Sequence, residues 1–375
     1  MSLQGCPSII LLNSTKASGP LIRRRAGVIG VGQKCTILQI HEASMTTSIM
    51  YHSLQACAVL LMVVNGMRAA SPQKNTVQLG NDLGVGKIAV SVDGKFVAIA
   101  CIVGDNDSEI RLLAAGAKQQ LSKFSIKGHV TCIQFAPDSK NLLVGGTNKE
   151  CIVWSTSDHN EIGKFIGHTD ALVGISVSAK SDRVATSSVD KSIKIWDLAT
   201  SKLLATLNTP KGVTHCISYS PFGDYLVSGG NDKIVRIWDS ESFTEQFHFV
   251  AHSVGVNCLT FLPSGNTIIT ASAEGEVKAW DLFLKTKSSN DRLTWMVGRA
   301  KPLLIVAHPN SKQVAIGLSS GEVMICFLSS DSTVAELKLN SHKVPVTALA
   351  YSHDGNKLLV GSFFESYYSM FSDLP

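Results

Sequence analysis

The stretch Lys191–Trp196, KSIKIW, decides the fold because it recurs along the chain. Similar stretches end in tryptophan at residues 149–154 (KECIVW), 233–238 (KIVRIW) and 276–280 (EVKAW). The spacing between successive members of this set is 42 residues: Trp154, Trp196, Trp238 and Trp280. Such a period is typical of repeat architectures, in which each unit buries its apolar surface only against its neighbours.

Three weaker units extend this register, with Leu113, Cys326 and Phe371 at the tryptophan position. The first unit contains a short insertion. The last unit must contain one extra residue for Phe371 to occupy the tryptophan position; without it, Met370 would occupy that position. Each unit consists of short runs rich in β-branched residues separated by turn residues, and no helical period occurs from residue 76 onward. Seven such units predict an all-β, seven-bladed β-propeller.

The repeat resembles that of the WD40 family, the G-protein-beta-like propellers, over roughly residues 75–375. Three of the four tryptophans are followed by aspartate. The resemblance implies a ring in which strands from both ends of the chain share one blade. Because the last unit stops four residues after Phe371, Asn75–Leu79 is expected to supply its outer strand. Closure of this kind removes exposed sheet edges.

Blades of this family carry a hydrogen-bonded set of histidine, serine or threonine, aspartate and tryptophan. The third unit has a complete set, for which we expect His168, Ser188, Asp190 and Trp196. The resemblance places partial sets in three other units: His252, Ser272, Glu274 and Trp280 in the fifth, His129 and Trp154 in the second with Asn148 at the acidic position, and Asp232 and Trp238 in the fourth. Pairing would offset the cost of burying the carboxylate, and the hydroxyl would serve the indole N–H.

His168, Ser188 and Asp190 also have the composition of a catalytic triad. We favour a structural role, because parts of the set recur at blade spacing, where an active site would occur once. No carboxylate pair, metal cluster or nucleophile motif lies outside the repeats, so no catalytic or metal-binding residue is predicted. Gly84–Ala89 matches a dinucleotide-binding pattern but precedes an expected strand instead of a helix, so no cofactor is predicted.

Positive charge is concentrated near the N-terminus. Residues 1–72 hold six of the 34 Lys and Arg side chains and one of the 29 Asp and Glu, which leaves 28 of each sign elsewhere. A neutral propeller gives no electrostatic argument for nucleic-acid binding. We expect residues 1–74 to be a flexible basic extension and residues 75–375 to be the propeller.

The apolar stretch Leu54–Val64 is too short to span a membrane. It resembles the apolar region of a signal peptide but begins far from Met1, so a poorly structured extension or an uncertain gene start is favoured over a targeting signal around residues 45–72. The scattered cysteines form no C-x-x-C pair, which favours a reducing compartment, cytoplasmic or nuclear. Cys132, Cys216 and Cys258 lie in apolar runs and are expected to be buried.

The leading functional hypothesis is a non-enzymatic scaffold or adaptor within a larger complex, binding proteins or peptides. The alternatives are a substrate-receptor subunit of a ubiquitin-ligase or histone-modifying complex and, third, a propeller enzyme. Lys149, Lys191 and Lys233 follow the acidic position in three consecutive units. They predict a local positive arc suited to an acidic partner, although lysine is also an ordinary soluble choice in such a turn.

Overall fold

The computed structural model describes residues 72–79, 84–104, 107–115, 120–209, 212–283, 288–328, 334–340, 342–362, 365 and 367–372. Within these ranges every regular element longer than a turn is a β-strand, and none is a helix that could cross a membrane. The sequence hypotheses about the basic extension, Leu54–Val64 and the targeting signal lie outside the described residues.

The strands are short, most of them six to eight residues, because turn residues interrupt each apolar run. In chain order they are β1 (Gln73–Gln78), β2 (Gly84–Val90), β3 (Phe96–Val103), β4 (Asp107–Ala114), β5 (Gln120–Lys127), β6 (Val130–Phe135), β7 (Asn141–Gly146), β8 (Glu150–Ser155), β9 (Glu161–Ile166), β10 (Leu172–Val177), β11 (Arg183–Ser188), β12 (Ser192–Asp197), β13 (Leu203–Asn208), β14 (Thr214–Tyr219), β15 (Tyr225–Gly230), β16 (Ile234–Asp239), β17 (Glu245–Val250), β18 (Val256–Phe261), β19 (Thr267–Ser272), β20 (Glu276–Phe283), β21 (Ser288–Met296), β22 (Pro302–Ala307), β23 (Gln313–Leu318), β24 (Glu322–Leu328), β25 (Val334–Asn340), β26 (Val346–Tyr351), β27 (Lys357–Ser362) and β28 (Tyr367–Ser372).

These strands form seven antiparallel sheets of four strands each. Blades 1 to 6 take four consecutive strands each, from β2 to β25, and blade 7 consists of β26, β27, β28 and β1. The first strand of every blade contacts the first strand of the next, and β26 contacts β2. The ring is therefore closed, and the prediction of a seven-bladed propeller is confirmed.

The closing strand, β1, pairs with β28 from Gln73 opposite Ser372 to Gln78 opposite Tyr367. A strand from the N-terminal side therefore completes the last blade, as the sequence resemblance implies. The strand begins two residues before the expected boundary at Asn75, and Leu79 lies just beyond its end. Residues 73 and 74 thus belong to blade 7 and not to the extension.

The register places all seven repeat positions in equivalent sites on the third strand of each blade. Leu142 faces Trp154 and Val184 faces Trp196, and the weaker units follow the same rule, with Val97 opposite Leu113 and Val314 opposite Cys326. Phe371, and not Met370, faces the equivalent residue of blade 7, Leu358. The insertion in the first unit lengthens the β3–β4 hairpin, both of whose strands have eight residues.

The core consists of seven apolar clusters, each shared by two adjacent blades. Trp196 of blade 3, for example, stacks on Phe165 of blade 2 with ring centroids 5.3 Å apart. Cys132, Cys216 and Cys258 are buried in these clusters, as expected. Burial raises the pKa of the Cys132 thiol to about 11, which keeps it protonated and unreactive at neutral pH.

Candidate functional site

The hydrogen-bonded network of blade 3 is centred on His168, which is 8% exposed. Its Nδ1 lies 2.8 Å from an Asp190 carboxylate oxygen, and its Nε2 lies 2.8 Å from the Thr186 hydroxyl. The same Thr186 oxygen accepts a hydrogen bond of 2.8 Å from the Trp196 indole N–H. These hydrogen bonds connect the loop that precedes the blade with the second and third strands of the blade.

Blade 5 repeats this geometry. His252 Nδ1 lies 2.6 Å from a carboxylate oxygen of Glu276, and its Nε2 lies 2.8 Å from the Thr270 hydroxyl. Trp280 donates to the same hydroxyl at 2.9 Å. Both imidazoles are therefore held between a carboxylate and a threonine.

Three residues expected from the sequence are replaced by neighbours in this network. The hydroxyl comes from Thr186 instead of Ser188 in blade 3 and from Thr270 instead of Ser272 in blade 5. The acid of blade 5 is Glu276 instead of Glu274. Ser188 donates instead to the backbone carbonyl of Asp170, and Ser272 accepts from the backbone of Glu276.

The strand register explains these corrections. Trp196 faces Val184, so Thr186 is its diagonal neighbour on the same face and Ser188 lies one step further along. An indole reaches a diagonal neighbour across a sheet but not the position beyond it. In blade 5, Glu276 occupies the position of Ser192 in blade 3, whose hydroxyl also lies 3.3 Å from the histidine Nδ1.

The partial sets in blades 2 and 4 are less complete. Trp154 of blade 2 stacks on Phe124, and its indole N–H has no hydrogen-bond partner within the described ranges, since Val144 takes the place of the threonine. Trp238 of blade 4 donates to the Ser228 hydroxyl at 2.8 Å. Asp232 pairs with Arg236 of its own hairpin, with 2.6 Å between the charged groups.

A third histidine–carboxylate pair, His342 with Glu365 in blade 7, was missed by sequence reasoning. His342 Nε2 lies 3.2 Å from the backbone oxygen of Val360, which occupies the threonine position. The signal was present: His342 precedes Phe371 by 29 residues, and His168 precedes Trp196 by 28. The extra residue of the last unit accounts for the difference.

Charge in the blade 3 network follows from burial and hydrogen bonding together. Burial acts to raise the pKa of Asp190, but hydrogen bonds from Ser192, the Thr169 backbone N–H and His168 outweigh it and lower that pKa to about 2. Burial lowers the pKa of His168, against the opposing effect of Asp190. At neutral pH the pair is thus a carboxylate and a neutral imidazole.

Ser188 and His168 do not form a nucleophile pair in this geometry. Ser188 is fully buried and bonds to the Asp170 backbone, while both nitrogens of His168 are taken by Asp190 and Thr186. Gly84–Ala89 forms part of strand β2 and is not a phosphate loop followed by a helix. Within the described ranges, no three His, Cys, Asp or Glu side chains gather as a metal site.

The lysine arc consists of Lys149, Lys191 and Lys233. These residues lie in the second turns of blades 2, 3 and 4, which join the second and third strands of each blade, and all three side chains are exposed. Each residue has a positive φ, between 66° and 70°. The equivalent positions of blades 5 and 6 are Gly275 and Gly321, both with φ of 89°. A Cβ at Gly275 would lie 2.7 Å from the Gly298 carbonyl oxygen, so among the equivalent turns that are described in full, those of blades 2 to 6, the turns of the arc are the ones with room for a side chain.

The model of the WD domain, G-beta repeat family, matches residues 120–155, 159–197, 201–239, 243–281 and 331–363. These matches coincide with strands of blades 1 to 7 in the register described above. The chain belongs to the WD40-repeat family. The WD40 match includes the complete network of blade 3 and all three lysines of the arc.

Several other proteins are similar to parts of the chain. It is 27% identical over 146 residues (37% of this chain, 29% of the relative) to GID complex subunit 7 of Schizosaccharomyces pombe. It is 32% identical over 106 residues (26% and 33%) to small ribosomal subunit protein RACK1 of Neurospora crassa. It is 32% identical over 100 residues (26% and 31%) to eukaryotic translation initiation factor 3 subunit I of Caenorhabditis elegans. The chain thus spans about a third or less of the length of these relatives.

Among solved structures, that of U3-55K has the same fold. The superposition has a TM-score of 0.68 and covers 80% of this chain and 98% of the other, at 18% sequence identity. At that identity the likeness concerns the propeller alone.

Proposed function

We propose that this WD40 propeller is a non-enzymatic scaffold that binds proteins or peptides, acidic ones in particular, within a larger complex. Support for the general role comes from the closed propeller and from relatives that are named as subunits of complexes. A rigid ring presents fixed loops on both faces, which suits recognition of other chains. The proposal places the protein in the cytoplasm or nucleus, in keeping with the six cysteines of the described residues, which are buried and unpaired.

The observation that carries the acidic preference is the conformation of the lysine arc. A side-chain-bearing residue in the left-handed region costs about 1–2 kcal/mol relative to the right-handed one. The chain accepts this cost at three adjacent blades, where glycine would relieve it, as it does at six other described positions that carry Ser, His or Phe. The backbone carbonyls of Lys191 and Lys233 accept hydrogen bonds from Thr209 and Ala251, so the turns are fixed and the side chains project from a rigid base.

Nearby carboxylates compensate the charge of the arc only in part. Asp190 and Asp232 immediately precede the lysine turns, and both side chains are less than a tenth exposed. Asp232 is paired with Arg236, whereas Asp190 keeps its negative charge beside the neutral His168. In blade 2 the corresponding residue is the neutral Asn148. Three ammonium groups therefore face solvent on one side of a domain that is neutral overall, an arrangement that favours association with an acidic surface.

The test is charge reversal of the arc, Lys149→Glu, Lys191→Glu and Lys233→Glu together, followed by co-purification with mass spectrometry. Partners that use the arc should associate more slowly, by about tenfold or more at low salt, and the difference should shrink as salt is added. The matched control reverses three exposed lysines at the opposite ends of the strands: Lys140, Lys180 and Lys312. Partner association that responds equally to the two triple variants would contradict the acidic preference.

The substrate-receptor alternative makes a different prediction for the same experiment. A receptor would hold one peptide tightly at a single site, so its co-purified set would share one short sequence. A scaffold would retain several unrelated proteins at different surfaces. The composition of the purified complexes therefore separates the two.

A further inference from the structure

The junction between blades 7 and 1 differs from the other six at one pair of positions. We define a junction pair as the residue at the tryptophan position together with the outer-strand residue of the preceding blade that packs towards it. In every blade, the outer-strand residue lies opposite a residue of the third strand. That third-strand residue comes three positions before the tryptophan position of the same blade. The seven pairs are Phe124–Trp154, Phe165–Trp196, Leu207–Trp238, Phe249–Trp280, Trp295–Cys326, Leu339–Phe371 and Val77–Leu113.

Six of these pairs contain at least one aromatic ring, and the exception is Val77–Leu113. Blade 6 shows that the ring can come from either side, because Cys326 occupies the tryptophan position and Trp295 packs against it from blade 5. At the 7/1 junction both members are aliphatic, although Tyr368 stands nearby where other blades have Ile, Cys or Val.

A cavity of about 630 Å³ lies at this junction. Its walls include Val77, Leu113, Val97, Leu359 and Met370. This volume is within the range of about 300–1,000 Å³ found for ligand sites. Residues 80–83 and 116–119, which adjoin its lining in sequence, lie outside the described part of the chain.

Two polar side chains in the lining suit an aromatic occupant. Arg111 lies along the cavity with its guanidinium fixed by Glu109 at 2.7 Å and by the Leu79 carbonyl, and a fixed guanidinium attracts the face of an aromatic ring. Tyr368 also lines the cavity and is 7% exposed, and its hydroxyl has no hydrogen-bond partner among the described residues. An indole N–H in the cavity could donate a hydrogen bond to this hydroxyl.

The charges around the cavity favour a neutral occupant. Arg111 is compensated by Glu109, and the two other Asp, Glu, Lys or Arg residues of the lining, Asp354 and Lys357, carry charges of opposite sign. The lining therefore has no excess charge that would attract a carboxylate or an ammonium group. A neutral aromatic ring matches the apolar walls, the guanidinium face and the free hydroxyl together.

We propose that the cavity between blades 7 and 1 is a second binding site, which receives an aromatic side chain, above all tryptophan, from a segment of a partner protein. The occupant would complete the one junction whose pair lacks an aromatic ring. The site goes beyond the proposed function, since it lies at the strand ends opposite the lysine arc and needs none of those lysines. Its lining includes Gly94 and Asp354 from the first turns of blades 1 and 7.

The first test measures binding of N-acetyl-tryptophanamide to the full chain by ligand-observed NMR and titration. N-acetyl-phenylalaninamide and N-acetyl-leucinamide serve as comparison probes of the same charge. The tryptophan probe should bind at least about tenfold more tightly than the leucine probe, which is about 1.4 kcal/mol. Equal binding of the tryptophan and leucine probes would overturn the aromatic assignment.

Variants locate the site. Leu113→Trp places the aromatic ring in the cavity covalently, so it should reduce tryptophan-probe affinity at least tenfold and raise the thermal midpoint. Val77→Phe fills the same space from the other side and serves if Leu113→Trp does not fold. Leu207→Phe is the matched control, because it makes the same kind of change at the 3/4 junction, where Trp238 is already present. It should leave probe binding unchanged.

Tyr368→Phe separates the hydrogen bond from the shape of the cavity. It should weaken the tryptophan probe several-fold and leave the phenylalanine probe unaffected. The proposal fails if Leu113→Trp and Val77→Phe bind the probe as the parent does. It fails equally if the full chain forms a dimer that Leu113→Trp abolishes while the probe does not bind, because the occupant would then be a second copy.

Discussion

At the scale of single residues, one threonine hydroxyl serves two aromatic rings. Thr186 accepts from Trp196 and contacts Nε2 of His168, and Thr270 does the same in blade 5. The sequence was sufficient to identify the histidines and tryptophans of blades 3 and 5, because their spacing repeats, but not His342 of blade 7. It was not sufficient to identify the hydroxyl, because serine and threonine occupy alternate positions of the same strand and only the register shows which one an indole can reach.

Thr186→Val should destabilise the protein by about 1–3 kcal/mol, because it keeps the shape of the side chain and leaves the Trp196 N–H and His168 Nε2 without their partner. Urea unfolding with an unchanged m-value would measure the loss. The converse change is Val144→Thr in blade 2, which offers a hydroxyl to the unpartnered N–H of Trp154 and should be neutral or stabilising. A Thr186→Val variant as stable as the parent would show that the network contributes little.

The blade 3 network should also make stability depend on pH. The folded-state pKa of His168 is below its ordinary value of 6.5, chiefly through burial, so the unfolded chain takes up the proton first and stability falls as pH drops below 6.5. His252 adds to the same slope. The pKa of Asp190, lowered from 3.8 to about 2, adds stability that is present above pH 3.8 and lost as pH falls towards 2.

Denaturant unfolding at a series of pH values, with NMR titration of the imidazoles, would check this dependence. The free energy of unfolding should decline steadily from pH 7 to pH 5 and decline further below pH 4. A free energy that is flat or rises on acidification over that range would contradict the assignment of neutral, buried histidines.

At the scale of elements, β1 joins the two ends of the described chain into one blade. The sequence could predict such a strand because the last unit has only three of its own, and the resemblance implied where the fourth would come from. Its first two residues could not be assigned from sequence, since Gln73 and Lys74 are polar and their place depends on pairing with β28. Similarly, the sequence places Phe371 instead of Met370 at the tryptophan position only if the last unit is one residue longer than the others. The pairing of Phe371 with Leu358 confirms that placement.

Removal of residues 1–79 should therefore destabilise the propeller far more than removal of residues 1–72. The longer deletion exposes the edge of β28 and uncovers Tyr368, Phe371 and their neighbours in the core. Thermal denaturation of the two shortened chains would measure the difference, which we expect to be at least several degrees. Identical midpoints would mean that β1 contributes no stability to blade 7.

At the scale of the whole molecule, the antiparallel blades separate two surfaces. The second turns of the blades, with the lysine arc, lie at one end of the strands, and the first turns, which border the 7/1 cavity, lie at the other. The sequence could suggest the arc, because its lysines are one repeat apart. It could not suggest the cavity, because Val77 and Leu113 come from different sequence units and become a pair only when the ring closes.

This separation predicts that the two proposed sites act independently. Charge reversal of the lysine arc should leave the affinity for N-acetyl-tryptophanamide unchanged, and Leu113→Trp should leave the salt-dependent association of acidic partners unchanged. Substitutions at distant sites with no shared contacts usually have additive effects, within about 0.5 kcal/mol. Combining both changes in one chain and measuring both kinds of binding would therefore give the sum of the separate losses. A combined loss that departs from that sum by more than about 1 kcal/mol would show that the ring couples its two faces, and the protein would then be a relay between partners instead of a passive platform.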